Sequence, residues 1–219
     1  MGKNYIDLSL YLVTQRGSLS LKAFFDIIKE AVRGGVSVVQ LREKGTDIAE
    51  FLRIGESLLD ILSPMGIPLI INDSVEIALA IGADGVHLGQ GDISIAEARR
   101  ILGPKAIIGL SIETLEQAWA AESLELDYIA ASPIFRTPTK VDTSKPWGLE
   151  GLKLLCGMTR YPVVSIGGIT IENTEDVITA GSSGISVVSA IFNAESPRKA
   201  ARELLIKIEE SRNLNLDRL

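Results

Sequence analysis

Residues 36–62 read VSVVQLREKGTDIAEFLRIGESLLDIL. The stretch opens with a short apolar run at residues 36–41, and residues 48–62 then repeat apolar side chains at helical spacing. A continuous apolar run without polar alternation is typical of a parallel strand that is buried on both faces, and a helix commonly connects such a strand to the next one. The stretch therefore predicts one β/α unit.

The same unit recurs on both sides of this stretch. The other short apolar runs are residues 8–13, 68–71, 85–88, 106–110, 128–131, 163–166 and 185–188. Helical spacing is found at residues 21–32, 95–102, 114–121 and 197–208, with shorter helices predicted at 74–81 and 172–180. Eight such strand candidates in 219 residues, separated by helical stretches, predict an α/β fold, a single-domain (β/α)8 TIM barrel over residues 1–219 with residues 212–219 as a tail. The alternative, a doubly wound open sheet, usually has fewer strands and a glycine-rich first turn.

An acidic, largely apolar composition narrows the classes of function. The chain has 22 Lys and Arg against 28 Asp and Glu, a net charge of −6, and 46% of its residues are hydrophobic. This balance argues against disorder and against nucleic-acid binding, which needs a basic surface. No apolar run approaches the roughly 18 residues of a membrane helix, and the single cysteine, Cys156, excludes an internal disulfide. We therefore expect a cytoplasmic protein without nucleic-acid or membrane partners.

Chemistry in such barrels takes place at the C-terminal ends of the strands, so the polar residues that follow each apolar run are the candidates. The second run is followed by Gln40-Leu41-Arg42-Glu43-Lys44. Because side chains alternate along a strand, Gln40, Arg42 and Lys44 would share the inward face, where they need polar partners. The alternative is a solvated surface ion pair with Glu43.

Two aspartates follow neighbouring strands. Asp73 comes directly after the third run, beside Asn72, and Asp92 ends the turn GQGD after the fourth. Mg²⁺ typically takes one or two carboxylates and completes its shell with water and substrate phosphate oxygens, so the pair predicts a magnesium site. The alternative is that each aspartate caps the helix that follows it.

The loops after the last three strands indicate where a phosphate binds. The longest loop, residues 132–148, carries Thr137, Thr139 and Lys140. Gly167-Gly168 follows the seventh run and Ser189 the eighth, and barrel enzymes commonly bind a phosphate there through backbone N–H groups. The alternatives are a solvated loop and a simple tight turn. Together with the groups after strands two to four, these loops predict two anion-binding subsites.

The sequence offers few residues for nucleophilic catalysis or for a zinc site. His87, the one histidine, lies inside the fourth apolar run, and Cys156 lies in an apolar segment without a pairing motif. One histidine and one cysteine do not supply the usual zinc ligand set. We interpret His87 as a packed residue and Cys156 as a small core residue.

Six ordered sequence blocks resemble those of thiamine-phosphate synthase. They are QLREK at 40–44, ND at 72–73, GVHLGQGD at 85–92, SPIFRTPTK at 132–140, SIGGI at 165–169 and VVSAI at 187–191. The blocks stand at the ends of six different predicted strands and run in order over nearly the whole chain. Each block alone is modest evidence, whereas the ordered set is specific.

The resemblance implies a reaction, a cofactor and a set of binding residues. Enzymes of this family join 4-amino-2-methyl-5-pyrimidinylmethyl diphosphate to a thiazole phosphate, giving thiamine phosphate and diphosphate, with Mg²⁺ as cofactor. The positions that match the pyrimidine diphosphate site are Gln40, Leu41, Arg42, Glu43, Lys44, Asn72, Ser111 and Lys140. Those that match the thiazole phosphate site are Thr137, Pro138, Thr139, Gly168, Val188 and Ser189, and the Mg²⁺ ligands are Asp73 and Asp92.

In this family the diphosphate leaves first, and the thiazole nitrogen then captures the resulting methylene cation. The catalytic residues that the resemblance implies are Arg42, Lys44, Ser111 and Lys140, which would stabilise the departing diphosphate together with Mg²⁺. Such chemistry requires no side-chain nucleophile. The chain departs from the family pattern at Arg136, where relatives more often carry proline.

Three other functions fit parts of the pattern. A synthase-like thiazole tautomerase or regulator shares the barrel, but that group characteristically has a histidine near the end of strand six, where this chain has Ala131-Ser132-Pro133. A phosphate-binding isomerase or epimerase would need an acid/base pair at the strand ends. A ligand-binding barrel without enzymatic activity would keep the phosphate loops without needing both aspartates.

Overall fold

A computed structural model of the chain describes residues 6–136 and 145–216, with side chains up to residue 214. Eight parallel strands pair in sequence order, and the last pairs with the first, so that the sheet closes into a barrel. The strands are β1 (Leu10–Val13), β2 (Val38–Leu41), β3 (Leu69–Asn72), β4 (Gly85–Leu88), β5 (Ile107–Ile112), β6 (Tyr128–Ala131), β7 (Val163–Ile166) and β8 (Gly184–Val187). The (β/α)8 TIM barrel predicted from the sequence is confirmed.

Helices alternate with the strands on the outside of the barrel. They are α1 (Leu21–Arg33), α2 (Ile48–Leu62), α3 (Val75–Ile81), α4 (Ile95–Leu102), α5 (Leu115–Ala121), α6 (Gly148–Met158), α7 (Thr174–Thr179), α8 (Ser189–Phe192) and α9 (Pro197–Leu216). A short 3-10 turn, Ser63–Met65, follows α2. Among the described residues, no helix is both long enough and apolar enough to cross a bilayer.

Both faces of the strands are buried, each by a different set of partners. In β1, Leu10 and Leu12 belong to the main core between the sheet and the helices. Tyr11 and Val13 alternate with them and belong to a smaller cluster on the inner face, together with Tyr128 of β6. This double burial explains why the apolar runs show no polar alternation.

Side-chain caps determine where the first five helices begin. Each cap accepts a hydrogen bond from the backbone N–H three residues further on. The capping residues are Ser20, Asp47, Ser74, Ser94 and Thr114. Each cap thereby ends a loop at the C-terminal side of the barrel, which is the side where the polar sequence motifs lie.

Three helices differ from the sequence-based prediction. The sequence pattern marks no helix at α6, where Gly148, Gly151 and Gly157 weaken the helical signal. Helix α8 has four residues, too few to leave a periodic pattern. Helix α9 continues beyond residue 208, so residues 212–216 of the predicted tail are helical, and Arg212 donates a hydrogen bond to Ser9.

Candidate active site

A cavity of about 650 Å³ opens at the C-terminal end of the barrel. Every strand, or the loop that follows it, contributes to its wall. The polar and charged groups that line it include Thr14, Gln40, Arg42, Lys44, Asn72, Asp73, His87, Asp92, Ser111, Ser132, Arg136 and Ser189. A concave site of this size with convergent polar groups, at this end of the barrel, is where a ligand is expected to bind.

The alternation predicted for residues 40–44 agrees with the structure. Gln40, Arg42 and Lys44 line the cavity. Leu41 is fully buried in the core on the outer side of the sheet, and Glu43 forms an ion pair with Arg16, whose Nε lies 2.9 Å from Glu43 Oε2. The structure thus brings three of the five residues to the site and places Leu41 and Glu43 outside the cavity lining.

Neither aspartate of the predicted metal site is needed as a helix cap. Ser74 caps α3, and Ser94 caps α4. Asp73 instead has a left-handed backbone with φ of 64°, an uncommon conformation for a residue other than glycine, and its N–H donates to the carbonyl oxygen of His87 at 2.9 Å. Asp92 accepts a hydrogen bond from the N–H of Gly89 at 2.7 Å. Both carboxylates line the cavity.

The two carboxylates lie close enough to perturb each other. Burial raises the pKa of Asp73, and the negative charge of Asp92 and a hydrogen bond between the two carboxyl groups raise this pKa further. The positive charge of Lys44 lowers it. A divalent cation between them would remove the repulsion. No set of three or more His, Cys, Asp or Glu side chains among the described residues is arranged to hold a metal. Two carboxylates suit Mg²⁺, which keeps several water or phosphate ligands.

The opposite side of the cavity is built from closely packed loops. Gly167 and Gly168 both have positive φ, 104° and 67°. A Cβ atom at Gly168 would lie 2.8 Å from the carbonyl oxygen of Arg136, so the loop after β7 packs directly on the loop after β6. Helix α8 begins at Ser189, immediately after the short loop that follows β8, and Val188 and Ser189 line the cavity. The loops after the seventh and eighth strands are where TIM-barrel enzymes frequently bind a phosphate.

A row of hydrogen-bonded polar side chains crosses the inside of the barrel. Gln40 Nε2 donates to the Tyr11 hydroxyl at 2.8 Å, which lies 2.8 Å from the Tyr128 hydroxyl. The Tyr128 hydroxyl lies 2.9 Å from His87 Nδ1, and His87 Nε2 lies 2.9 Å from Ser111 Oγ. We call these five residues the polar row. His87 is buried, as its place in an apolar run predicts.

Four residues of the predicted site belong to the loop after β6. Thr137, Pro138, Thr139 and Lys140 lie outside the described residues. The start of their loop is anchored to β7, because the N–H of Ile134 donates to the carbonyl oxygen of Ile166 at 2.9 Å.

Comparison with known proteins assigns the family. The family model described as thiamine monophosphate synthase matches residues 10–191. The chain belongs to the thiamine monophosphate synthase family. The match covers all eight strands and extends almost to the end of α8.

Individual relatives agree with this assignment. The chain is 49% identical over 197 residues to the thiamine-phosphate synthase of Albidiferax ferrireducens, covering 90% of each protein. It is 51% identical over 196 residues to that of Leptospira biflexa, covering 87% of this chain and 93% of the relative. The solved thiamine phosphate pyrophosphorylase from Pyrococcus furiosus superimposes with a TM-score of 0.84 at 36% identity, covering 94% of this chain and 97% of that one. A 3-hexulose-6-phosphate synthase shares the fold, with a TM-score of 0.70 at 18% identity.

The family motifs do not account for every polar group of the site. Tyr11 and Tyr128 line the cavity, although the sequence pattern marks both only as members of apolar runs. The signal that could have found them is the tyrosine itself, because a buried hydroxyl needs a hydrogen-bond partner. Cys156 is not among the cavity lining, and burial raises the pKa of its thiol to about 11, which keeps it protonated and a poor nucleophile.

Proposed function

We propose that this member of the thiamine monophosphate synthase family condenses 4-amino-2-methyl-5-pyrimidinylmethyl diphosphate with a thiazole phosphate, giving thiamine phosphate and diphosphate in the cytoplasm. The observation that supports this most directly is that one cavity joins two different regions, each of which suits an anion. Cationic groups and a carboxylate pair stand after β2 to β4, and a glycine loop and a short helix stand after β7 and β8. Two phosphorylated substrates would therefore meet in the cavity between them.

The region after β2 to β4 suits the diphosphate. Arg42 offers a planar guanidinium that can bind phosphate oxygens bidentately, and Lys44 offers a compact charge. Mg²⁺ held by Asp73 and Asp92 would supply positive charge next to the leaving diphosphate. A hydrogen bond with the Asn72 side chain lowers the pKa of Asp73 and so opposes the effect of burial. Ser111 would add a hydroxyl contact, and Lys140 is assigned to the same diphosphate by resemblance.

The region after β7 and β8 suits the thiazole phosphate. Gly168 has no side chain, so backbone N–H groups can approach an anion closely there. Helix α8 begins at Ser189, and the first N–H groups of any helix have no partner within the helix. Val188 lines the cavity beside Ser189. Thr137, Pro138 and Thr139 are assigned to this phosphate by resemblance.

The proposed chemistry is loss of a leaving group followed by capture. The bond between the pyrimidine methylene carbon and the diphosphate oxygen breaks, and the electron pair leaves with the diphosphate. The thiazole nitrogen then donates its lone pair to the methylene carbon. Fixed cationic groups around the departing oxyanion lower the barrier because the negative charge grows there in the transition state. No side chain has to act as a nucleophile or general base.

The test is an assay with purified protein, both substrates and Mg²⁺. We expect thiamine phosphate and diphosphate to form in equal amounts. Neither product should form when either substrate is omitted. Incubation with the thiazole phosphate alone, followed by NMR, would reveal a tautomerase instead. Binding of either phosphate without any product would indicate a ligand-binding barrel, and either of these results would contradict the proposal.

A further inference from the structure

The polar row connects five different strands across the interior of the barrel. Its members are Gln40 on β2, Tyr11 on β1, Tyr128 on β6, His87 on β4 and Ser111 on β5. Gln40, Tyr11, Tyr128 and His87 are buried, and the rings of His87 and Tyr128 stack with centroids 5.5 Å apart. Because buried polar groups must satisfy each other, the position of each proton in the row depends on its neighbours.

The direction of the hydrogen bonds follows from counting protons. Gln40 Nε2 can only donate, so the Tyr11 oxygen accepts from it. Burial raises the pKa of Tyr11 and of Tyr128 well above the usual value, so each hydroxyl keeps its single proton. The hydrogen bonds given by the structure for the Tyr11 hydroxyl are those to Gln40 and Tyr128, so the Tyr11 proton goes to Tyr128.

The same count continues to the other end of the row. The Tyr128 oxygen now accepts from Tyr11, so its own proton goes to His87 Nδ1. A neutral imidazole that accepts at Nδ1 carries its proton on Nε2, and Nε2 therefore donates to Ser111 Oγ. We propose that Tyr11, Tyr128 and His87 are positioning residues. Tyr11 and Tyr128 hold His87 as the Nε2–H tautomer, and His87 in turn leaves the Ser111 hydroxyl as a hydrogen-bond donor toward the cavity.

The direction matters for what Ser111 can bind. With the row reversed, the Ser111 proton would point at His87, and only its lone pairs would face the cavity. With the direction inferred here, Ser111 donates to an acceptor such as a diphosphate oxygen, and the bond strengthens as negative charge grows on that oxygen. This use of Ser111 rests on the proposed function, whereas the tautomer is a property of the protein without substrate.

The tautomer can be read directly because His87 is the only histidine in the chain. In protein labelled with ¹⁵N-histidine, without substrates and at neutral pH, we expect a protonated Nε2 and an unprotonated Nδ1. A protonated Nδ1, in either a neutral ring or an imidazolium, would overturn the proposal. This measurement needs no catalytic activity, so its outcome is independent of whether the protein forms thiamine phosphate.

Tyr128→Phe tests whether the row imposes that tautomer. The variant keeps the ring and removes the donor to Nδ1, so the ¹⁵N shifts should move toward a mixture of both tautomers. The matched control is Tyr161→Phe, which also removes the hydroxyl of a buried tyrosine but lies outside the cavity lining, and it should leave the His87 signals unchanged. An unchanged tautomer in Tyr128→Phe would contradict a positioning role.

Kinetics then test whether Tyr128 acts through Ser111. We expect Tyr128→Phe to lower kcat about tenfold, because Ser111 then loses its orientation toward the charge that grows in the transition state. The change in KM should be smaller. In a Ser111→Ala background the same change should lower kcat by less than about twofold, because coupled residues are not additive. Equal losses in both backgrounds would show that Tyr128 acts independently of Ser111.

Discussion

Arg16 and Glu43 form an ion pair that joins the loops after β1 and β2, with the Arg16 Nε 2.9 Å from Glu43 Oε2. The Glu43 side chain is only 4% exposed, and the Arg16 side chain is 21% exposed. Thr46 donates a further hydrogen bond to the same carboxylate oxygen at 3.0 Å. Because Glu43 is held outside the cavity, its neighbours Arg42 and Lys44 are held on the cavity side.

Arg16→Ala should therefore lower both stability and substrate affinity. The variant leaves a buried carboxylate without its cation, which we expect to cost about 1–3 kcal/mol in the free energy of unfolding. The KM for the pyrimidine diphosphate should rise, because Arg42 and Lys44 lose their support, whereas the KM for the thiazole phosphate should change less. Urea unfolding and steady-state kinetics measure the two effects.

The control for this variant is Lys22→Ala. Lys22 pairs with Asp26 on α1, but their side chains are 88% and 50% exposed, so solvent screens the pair and its loss should leave the urea midpoint and both KM values nearly unchanged. If Arg16→Ala is as mild as Lys22→Ala, the Arg16–Glu43 pair does not organise the loop.

Much of the barrel was predictable because its signals are local. An apolar run and the helix after it lie within about thirty residues, as in residues 36–62, and the strand period of two correctly places Gln40, Arg42 and Lys44 on one face. The closeness of Asp73 and Asp92 was also predictable, because neighbouring parallel strands end at the same edge. The role of each site residue stays a prediction.

Other features depend on contacts between distant parts of the chain. Tyr11 and Tyr128 are 117 residues apart, and no local pattern pairs them. The partner of Glu43 is Arg16, 27 residues earlier, and sequence motifs alone assigned Glu43 to the substrate. Whether Asp73 or Ser74 caps α3 depends on backbone geometry, since both residue types favour that position.

The carboxylate pair predicts opposite effects of Asp92→Asn on stability and on turnover. Without metal, the substitution removes the repulsion that raises the pKa of Asp73. The melting temperature at neutral pH should therefore rise by ~1–3 °C, a small gain because solvent screens this half-exposed pair. Turnover with Mg²⁺ should fall by about a hundredfold or more, since one charged ligand is lost. A variant that keeps wild-type turnover in the presence of a chelator would contradict the metal assignment.

The same pair predicts how Mg²⁺ affects stability as the pH changes. Because the pKa of Asp73 is raised in the folded protein, its contribution to stability in the absence of metal is favourable at acidic pH and is lost as pH rises through that raised value. Mg²⁺ needs the ionised carboxylates, so it should raise the melting temperature at neutral pH and lose this effect on acidification. Thermal scans with and without Mg²⁺ across this range measure it, and a Mg²⁺ effect that persists in Asp73→Asn would locate the metal elsewhere.

Lys140→Ala tests a residue that the resemblance assigns to the diphosphate. If Lys140 contacts the leaving group mainly as charge develops, kcat should fall by about a hundredfold while the KM for the pyrimidine diphosphate changes less. Single-turnover kinetics are the appropriate measurement, because loop opening or product release can limit kcat. Lys145→Ala, an exposed lysine at the other end of the same loop, is the control. A normal single-turnover rate in Lys140→Ala would leave Lys140 without a catalytic role.

Gly168→Ala tests the separation of the two subsites. Its φ is 67°, and an added Cβ would lie 2.8 Å from the Arg136 carbonyl oxygen and 2.9 Å from Phe135 Cβ. The loops after β6 and β7 must then move apart, which disturbs the phosphate region but not the carboxylate pair across the cavity. We expect the KM for the thiazole phosphate to rise about tenfold or more and the KM for the pyrimidine diphosphate to change less than about threefold.

The control for Gly168→Ala separates the clash from backbone strain. Gly66 has almost the same φ, 69°, but an added Cβ there has no neighbour within 4 Å among the described residues. Both alanine variants carry the strain of a left-handed backbone, whereas only the variant at Gly168 forces a contact between the two loops. Gly66→Ala should therefore lose stability without changing either KM. If Gly168→Ala raises both KM values equally, the two phosphates do not occupy separate regions, because a disturbance confined to the loops after β6 and β7 has then affected the groups after β2 to β4 as well.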